Sequence, residues 1–285
     1  ARQSSELFDN FWNSNWVVPA SELPATVDER EIADRREKLT EKLESAESPE
    51  QFQLEPRVWT AEFENLVSNL QFGSSEIIWD HIEDGKLVQD MTDSLSVMLR
   101  SAERNIDIIN AYIIPGQRFI DGIKQMTENG IRIRILTNSL ASHDVPAVNS
   151  HYKKWRKPII EAGAELYEFR ADPAIKPLVD TAPVVSGFSG LHTKSFVVDG
   201  HKVFIGSMNF DPRSVRINTE MGIIIDSPGL GQELIRLAER DMAPENAWQV
   251  KLDGQGQLVW VNSDETVTRQ PARNAWQRFL DGFFR

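Results

Sequence analysis

The chain has 285 residues and a net charge of −12, from 43 acidic against 31 basic side chains. That length supports one large or two modest domains with a real core, and that charge builds in no sequence-independent grip on nucleic acid or on an anionic membrane. With 40% hydrophobic and 26% charged residues the composition is that of an ordinary globular protein. Cys is absent, which excludes disulfides, thiolate metal sites and cysteine nucleophiles. No apolar run approaches the ~18 residues a membrane-spanning helix needs.

The chain starts at Ala1 with no initiator Met and no signal-like apolar segment, which reads as a processed or trimmed chain. Residues 6–18 read as the end of a helix running into a short strand. Asp241, Trp248 and Val250 repeat the spacing of Asp9, Trp16 and Val18, so residues 1–20 are expected to be the tail of an earlier repeat. Residues 21–74 read as a charged helical linker, broken at Pro49 and Pro56, with a short helix from Ala61 to Leu70. From residue 75 to 285 a single domain is expected.

In that domain strand and helix patterns alternate. Strands are expected at Glu76–His81, Ile106–Ile113, Ile131–Thr137 and Ala164–Phe169. Helices are expected at Met91–Arg104, 116–129 with Gly130 as a stop, and Pro146–Ala162. The alternation implies a central sheet covered by helices on both sides. Residues 170–191, with Pro173, Pro177, Pro183, Gly187 and Gly190, show little periodicity and read as a mobile rim leading into His192.

His192 to Asp211 carries the chemistry. A β-branched and aromatic run meets Asp199-Gly200 and resumes at Val203–Ile205, which is a hairpin signature. His192, Lys194, Phe196 and Val198 alternate onto one face. A turn at Asp199-Gly200 pairs His192 with Ser207, and a turn at Gly200-His201 pairs it with Asn209. Either register puts His192, Lys194, Ser207 and Asn209 on a common face. Such a set offers a nucleophile or acid, a cation for phosphate oxygens and two neutral donors. A strand from Glu220 to Asp226 and a helix at 229–242 are expected to follow.

H-x-K-x4-D-x6-G-S-x-N, filled by His192, Lys194, Asp199, Gly206, Ser207 and Asn209, resembles the HKD signature of the phospholipase D superfamily. N-A-Y-I-I-P-G at 110–116, the text at 136–148 and R-I-N-T-E at 216–220 are similar to the bacterial cardiolipin synthase branch, most of all its C type. The resemblance implies an α/β phospholipase D-like fold with a mixed, mostly parallel central sheet and helices on both faces. It also implies phosphodiester exchange through a phosphohistidine, at a site built from two HKD motifs about a pseudo-two-fold axis. This chain holds one such motif. The other half is then expected from N-terminal sequence before Ala1 or from another chain, with His192 as general acid. No cofactor and no metal are implied, and no second His or carboxylate sits at ligand spacing near His192.

The leading expectation is therefore the C-terminal half of a phosphatidyltransferase of the cardiolipin synthase type, acting on phospholipid, bacterial and peripheral on the inner membrane. The alternatives are a homodimeric phosphodiesterase or nuclease with one motif per chain, which the charge of −12 disfavours for nucleic acid, and an inactive fragment that needs its missing half.

Residue by residue, imidazole attacks phosphorus or returns a proton near neutral pH, which suits His192. Lys194, an ammonium on an apolar face, is offset by a bound phosphate. Asp199, at the turn, is assigned to bonding backbone amides despite its place in the motif's name. Gly206 allows close backbone approach, and Ser207 and Asn209 donate to phosphate oxygens. Glu220 matches the family's acidic position after the hairpin and is expected to accept from an imidazole nitrogen. Tyr112 with Pro115, Asn138 with Ser139, and His143 follow strands at the carboxyl edge and are candidates for the substrate rim. The last segment, 275–285, draws as an amphipathic helix whose Trp276, Phe279, Leu280 and Phe283 cluster, so it packs on the core or meets a lipid headgroup boundary.

Overall fold

A computed structural model describes residues 2–23, 28–44, 56–180 and 186–283. The Pro49 break, residues 181–185 of the loop before His192, and the last two residues of the chain lie outside them.

Three helices come first: α1 (Arg2–Trp12), α2 (Glu29–Glu44) and α3 (Pro56–Ser68). Residues 13–18 form turns and irregular chain rather than the expected short strand. The exposed α2 is supported by its own i,i+4 ion pairs, Glu31–Arg35 and Asp34–Lys38. Next come β1 (Ser74–Trp79) and a small hairpin, β2 (His81–Glu83) and β3 (Lys86–Val88). Its turn uses Asp84-Gly85 with both φ angles positive, the dipeptide signal that marks tight hairpins. Then α4 (Asp90–Arg100), β4 (Asn105–Asn110), α5 (Gln117–Glu128), β5 (Arg132–Asn138), α6 (Pro146–Tyr152), α7 (Arg156–Glu161) and β6 (Glu165–Phe169) alternate as expected. The single helix expected over 146–162 is interrupted by a 3₁₀ turn at Lys153–Trp155.

A short helix, α8 (Lys176–Val179), lies within the Pro-rich loop. After it come β7 (Lys194–Val198), β8 (Lys202–Gly206), α9 (Pro212–Arg216), β9 (Met221–Asp226), α10 (Pro228–Met242), β10 (Ala247–Leu252), β11 (Leu258–Val261), β12 (Thr266–Val267) and α11 (Ala275–Phe283). β10 takes the place of the short strand that the Trp248–Val250 echo implies, while β11 and β12 were not expected; all three extend the sheet beyond β6.

Among the described residues ten strands form one sheet in the order β1-β9-β8-β7-β4-β5-β6-β10-β11-β12. Its mixed character is as expected, but it is not mostly parallel. Among the described strands only the β4–β5 and β5–β6 pairs run parallel, each joined by a crossover through helices packed on one face of the sheet. Hairpins, short links and insertion of β7 beside β4 make every other pair antiparallel. Helices cover both faces. On one, Ile106, Ile108, Ile133, Ile135, Phe196 and Phe204 meet residues from α4, α5 and α7. On the other, Ile109, Leu136 and Phe169 meet Ala238 and Met242 of α10.

The central hairpin adopts neither expected register. Ser195 faces Ile205 and Val198 faces Lys202, leaving a three-residue connection, Asp199–Gly200–His201. Asp199 and Gly200 both take positive φ there, +51° and +76°. Even-numbered residues of the two strands now share a face, as the Phe196–Phe204 stack at 4.6 Å shows. Alternation alone therefore does not bring Ser207 and Asn209 to the face of Lys194.

Candidate active site

The strand directions decide where the motif sits. Because β7 is antiparallel to β4, its first residue, Lys194, pairs with the last of β4, Asn110. The end of β8 meets the start of β9 at Gly206–Gly222, and the end of β1 meets that start at Trp79–Met221. One edge of the sheet thus collects the ends of β1, β4, β5 and β8 with the beginnings of β7 and β9.

His192 lies two residues before β7. Its side chain is exposed and has no hydrogen-bond partner among the described residues, yet its backbone is held. Lys194 Nζ donates to His192 O at 2.7 Å, and on either side the chain is bonded through Leu191 N and O and through Thr193 O. A free ring on a fixed backbone suits a group that must reach a reacting atom. Lys194 is 7% exposed. Burial pushes its ammonium below an ordinary lysine, against the opposing pull of the Glu220 and Asp144 charges.

Ser207 reaches the site because β8 stops at Gly206 and the chain leaves the ladder. Its hydroxyl donates to Glu220 Oε2 at 2.5 Å. The buried Glu220 also accepts from Asn218 Nδ2 at 3.0 Å, so its hydrogen bonds go to Ser207 and Asn218 rather than to the His192 ring. Asp80, closing β1, holds Glu220 from behind: its carboxylate accepts from Glu220 N at 3.0 Å and from Met91 N at 3.1 Å, and its own N–H donates to Glu220 O at 2.8 Å. Burial raises the Asp80 carboxyl above the ordinary range against those amide donors, and the Glu220 charge adds to the rise. Gly206 has a packing reason: a Cβ there would stand 2.5 Å from the Phe204 ring and 2.6 Å from Met221 O. Asn209 Oδ1 is buried with no hydrogen-bond partner among the described residues.

Asp199 is far from all this, at the opposite end of β7. Its carboxylate accepts three consecutive amides, Glu103 N at 2.9 Å, Arg104 N at 2.8 Å and Asn105 N at 3.0 Å. Burial alone would raise its carboxyl; these donors and the Arg104 guanidinium override that and hold it below the usual range. The turn thereby ties the hairpin to the chain entering β4.

Of the rim candidates, Tyr112 is part exposed and its hydroxyl donates to Asp144 Oδ1 at 2.7 Å. His143 lies beneath it, its ring stacked on Tyr112 with centroids 5.0 Å apart, and is 2% exposed. Burial lowers its pKa to about 4, so at neutral pH it is an uncharged packing ring. Asn138 and Ser139 are also buried, 2% and 0% exposed. Ser139 bonds Ser142 through its amide and hydroxyl, and Asn138 bonds Ala111 and Leu191. These three stand under the site rather than on its rim.

Sequence reading passed over Asp80, Asn110, Asn218, Asp144 and Arg273. Arg273 donates to His143 O at 3.1 Å and lies over the Phe188 ring at 3.6 Å. Asp80 and Asn110 share a signal with Asn138: an apolar strand that closes on an Asp or Asn, in I-I-W-D, I-I-N and I-L-T-N. Together the edge offers an unencumbered imidazole, a buried ammonium and a carboxylate–hydroxyl pair. Among the described residues no cluster of His, Asp or Glu suits a metal ion.

Residues 95–242 match the family described as cardiolipin synthase, PLD-like domain. The chain is 38% identical over 194 residues to cardiolipin synthase C of Escherichia coli K12, covering 64% of this chain and 40% of that protein. It is 28% identical over 273 residues to an uncharacterized protein of Helicobacter pylori 26695, covering 94% and 53%. Among solved structures, phosphatidylserine synthase of Haemophilus influenzae matches 84% of this chain and 52% of its own, at 15% identity and a TM-score of 0.50. The chain thus spans about half, or less, of the length of these relatives.

Proposed function

The chain belongs to the cardiolipin synthase, PLD-like domain family, and from that premise we propose that it supplies one half of a phosphatidyltransferase site working through a phosphohistidine. The observation that carries the reading is the exposed His192 ring on an immobilised backbone, beside buried Lys194 and the Ser207–Glu220 pair. In the proposed reaction one imidazole forms a P–N bond as the P–O bond to the leaving alkoxide breaks, and a second imidazolium gives that oxygen its proton. An acceptor alcohol then attacks phosphorus, the P–N bond breaks, and the neutral imidazole takes the alcohol's proton.

His192 is the proton donor in this scheme. The second motif comes from the rest of the whole protein or from a second copy. Lys194 faces the phosphodiester, whose negative charge keeps the ammonium protonated and offsets its burial. Asn209 orients one phosphate oxygen through its amide group, and Ser207 orients another by turning its proton from Glu220 to the substrate. Phospholipid is the substrate, and charge argues against nucleic acid.

A peripheral place on the membrane enters through α11. Among the described residues no helix is long and apolar enough to cross a membrane. α11 turns its polar side inward: Gln277 and Asp281 are buried, 5% exposed each, while Trp276 and Phe279 are 65% and 59% exposed. Gln277 Nε2 donates to Leu140 O at 2.5 Å, and Asp281 accepts from Asn149 at 2.7 Å and Lys153 at 2.9 Å. The stacked aromatic pair faces away from the core, as a headgroup-level anchor would.

The test is His192→Ala in the whole protein, with transfer of radiolabelled phosphatidylglycerol as the readout. Turnover is expected to fall by about 10²–10⁴ with unchanged melting. Activity within about threefold of the parent would overturn the assignment.

A further inference from the structure

Where the sheet's hydrogen-bond ladder gives out around the motif, two buried side chains continue it. The β7 ladder begins at Lys194 and the β8 ladder ends at Gly206, so residues 191–193 and 207–210 lie beyond the regular strands and keep single backbone bonds, from Ala111 N to Thr193 O, from Ser207 N to Met221 O and from Ile114 N to Phe210 O. Asn138, 2% exposed and the last residue of β5, takes up the first segment. Its Nδ2 donates to Leu191 O at 2.9 Å and Ala111 O at 3.1 Å, and its Oδ1 accepts from Leu191 N at 2.8 Å and Ser142 Oγ at 3.0 Å. Asn110, 1% exposed and the last residue of β4, takes up the second. Its Nδ2 donates to Met208 O at 3.2 Å, and its Oδ1 accepts from Phe210 N at 3.4 Å and Tyr112 N at 3.2 Å.

A carboxamide has the donor and acceptor pattern of a peptide group in one plane. Each asparagine therefore serves as the missing strand neighbour of a segment that carries a motif residue. Asn138 grips both backbone groups of Leu191, directly before His192, and Asn110 grips the residues on both sides of Asn209. Gly190 fits this arrangement, since a Cβ there would stand 2.5 Å from Ser142 O.

We propose that Asn138 and Asn110 are positioning residues that fix His192 and Asn209 for phosphodiester chemistry. This rests on the site reading given above. Truncating either side chain leaves buried backbone groups unpaired and frees the motif segment, and a shift of about 1 Å in a reacting group costs on the order of 10²-fold in rate.

The experiment uses the whole protein with Asn138→Ala and Asn110→Ala. Kinetics are measured well below each melting temperature, alongside backbone hydrogen exchange. We expect kcat to fall by about 10–10²-fold with KM for the lipid donor within about twofold. Exchange should speed at least about tenfold in residues 189–193 for Asn138→Ala and in 207–210 for Asn110→Ala, with 194–198 still protected.

Parental kcat would overturn the positioning role, because a purely stabilising residue leaves folded enzyme fully active. Unchanged exchange would overturn the clamp itself. Should an alanine variant not fold, Asn138→Asp and Asn110→Asp remove the donors but keep the shape and are read by the same two measurements. If the parent protein turns over no phosphodiester, the site reading fails, while the exchange measurement still decides the clamps.

Discussion

Replacing Asp199 separates stability from catalysis at this motif. Six residues, 193–198, lie between it and His192, roughly 20 Å at strand rise, and it holds three consecutive amides at 2.8–3.0 Å. Each bond to a charged group contributes about 1.5–3 kcal/mol net. Glu103 and Arg104 are exposed, so water recovers much of that when the carboxylate goes; about 2 kcal/mol should remain. Asp199→Ala adds up to about 1 kcal/mol, because at φ +51° alanine lacks the aspartate's tolerance of the left-handed region, giving a total near 3 kcal/mol. Asp199→Asn tolerates that φ and keeps one accepting oxygen, so about half is expected. At this chain length 3 kcal/mol corresponds to a fall in Tm of roughly 6–12 °C.

The pH dependence has a definite sign. A carboxyl lowered by folding contributes stability above its unfolded pKa, and that contribution is lost as pH falls through the folded value. The gap between parent and Asp199→Asn should therefore narrow below about pH 4. Thermal melts from pH 2.5 to 7 and lipid transfer at 20 °C measure both quantities. A hundredfold loss of kcat with unchanged melting would refute the structural role and return Asp199 to the chemistry.

His143, pulled down to about 4 by burial, should make the fold lose stability as pH drops from about 6.5 toward 4, because the unfolded chain takes up the proton first; up to about 3 kcal/mol is at stake. His143→Phe, which keeps a ring against Tyr112, should flatten urea stability over that range, and an unaltered profile would show that another group titrates. On α11, Trp276→Ser with Phe279→Ser should weaken liposome flotation by about tenfold or more while leaving Tm within about 2 °C, because both rings are already exposed. Asp281→Ala should do the reverse, lowering Tm by several degrees through lost bonds to Asn149, Lys153 and Gln270; a large Tm drop in the aromatic variant would place that face in a core.

Much of this was legible because the signals were local. Alternating apolar residues marked β4 to β6, Gly130 stopped α5, and the motif spacing identified the hairpin. The Asp-Gly signal located the turn but not its length, since Asp199 and Gly200 at positive φ serve a three-residue connection as well as a two-residue one. The inverted docking of α11 was hidden because the helical wheel shows which residues cluster, not which side the body offers partners for. Here the body presents Asn149, Lys153 and the Leu140 carbonyl, and these pair with the polar side. Strands β11 and β12 escaped notice because their short runs are interrupted by Asp253, Gly254 and Asn262, and their place is set by β10, which pairs with distant β6.

The departure from a mostly parallel sheet is what makes the site possible. In a parallel array a strand's first residues lie at the amino edge, so His192 and Lys194, at the start of β7, would be a full strand length from the residues closing β4 and β5. Running β7 antiparallel to β4 turns it end for end. Lys194 then pairs with Asn110, Leu191 falls within reach of Asn138, and Asp199 goes to the opposite edge, where it meets the amides entering β4. The same inversion carries through β8 and β9, bringing Ser207 and Glu220 back to the His192 edge. Three strands that end there, β1, β4 and β5, are each followed or closed by a buried Asp or Asn whose side chain bonds backbone beyond the ladder. His192, Ser207 and Asn209 lie in irregular chain, where loop entropy would otherwise blur them; the polar strand ends supply hydrogen bonds there and leave the imidazole as the part free to move.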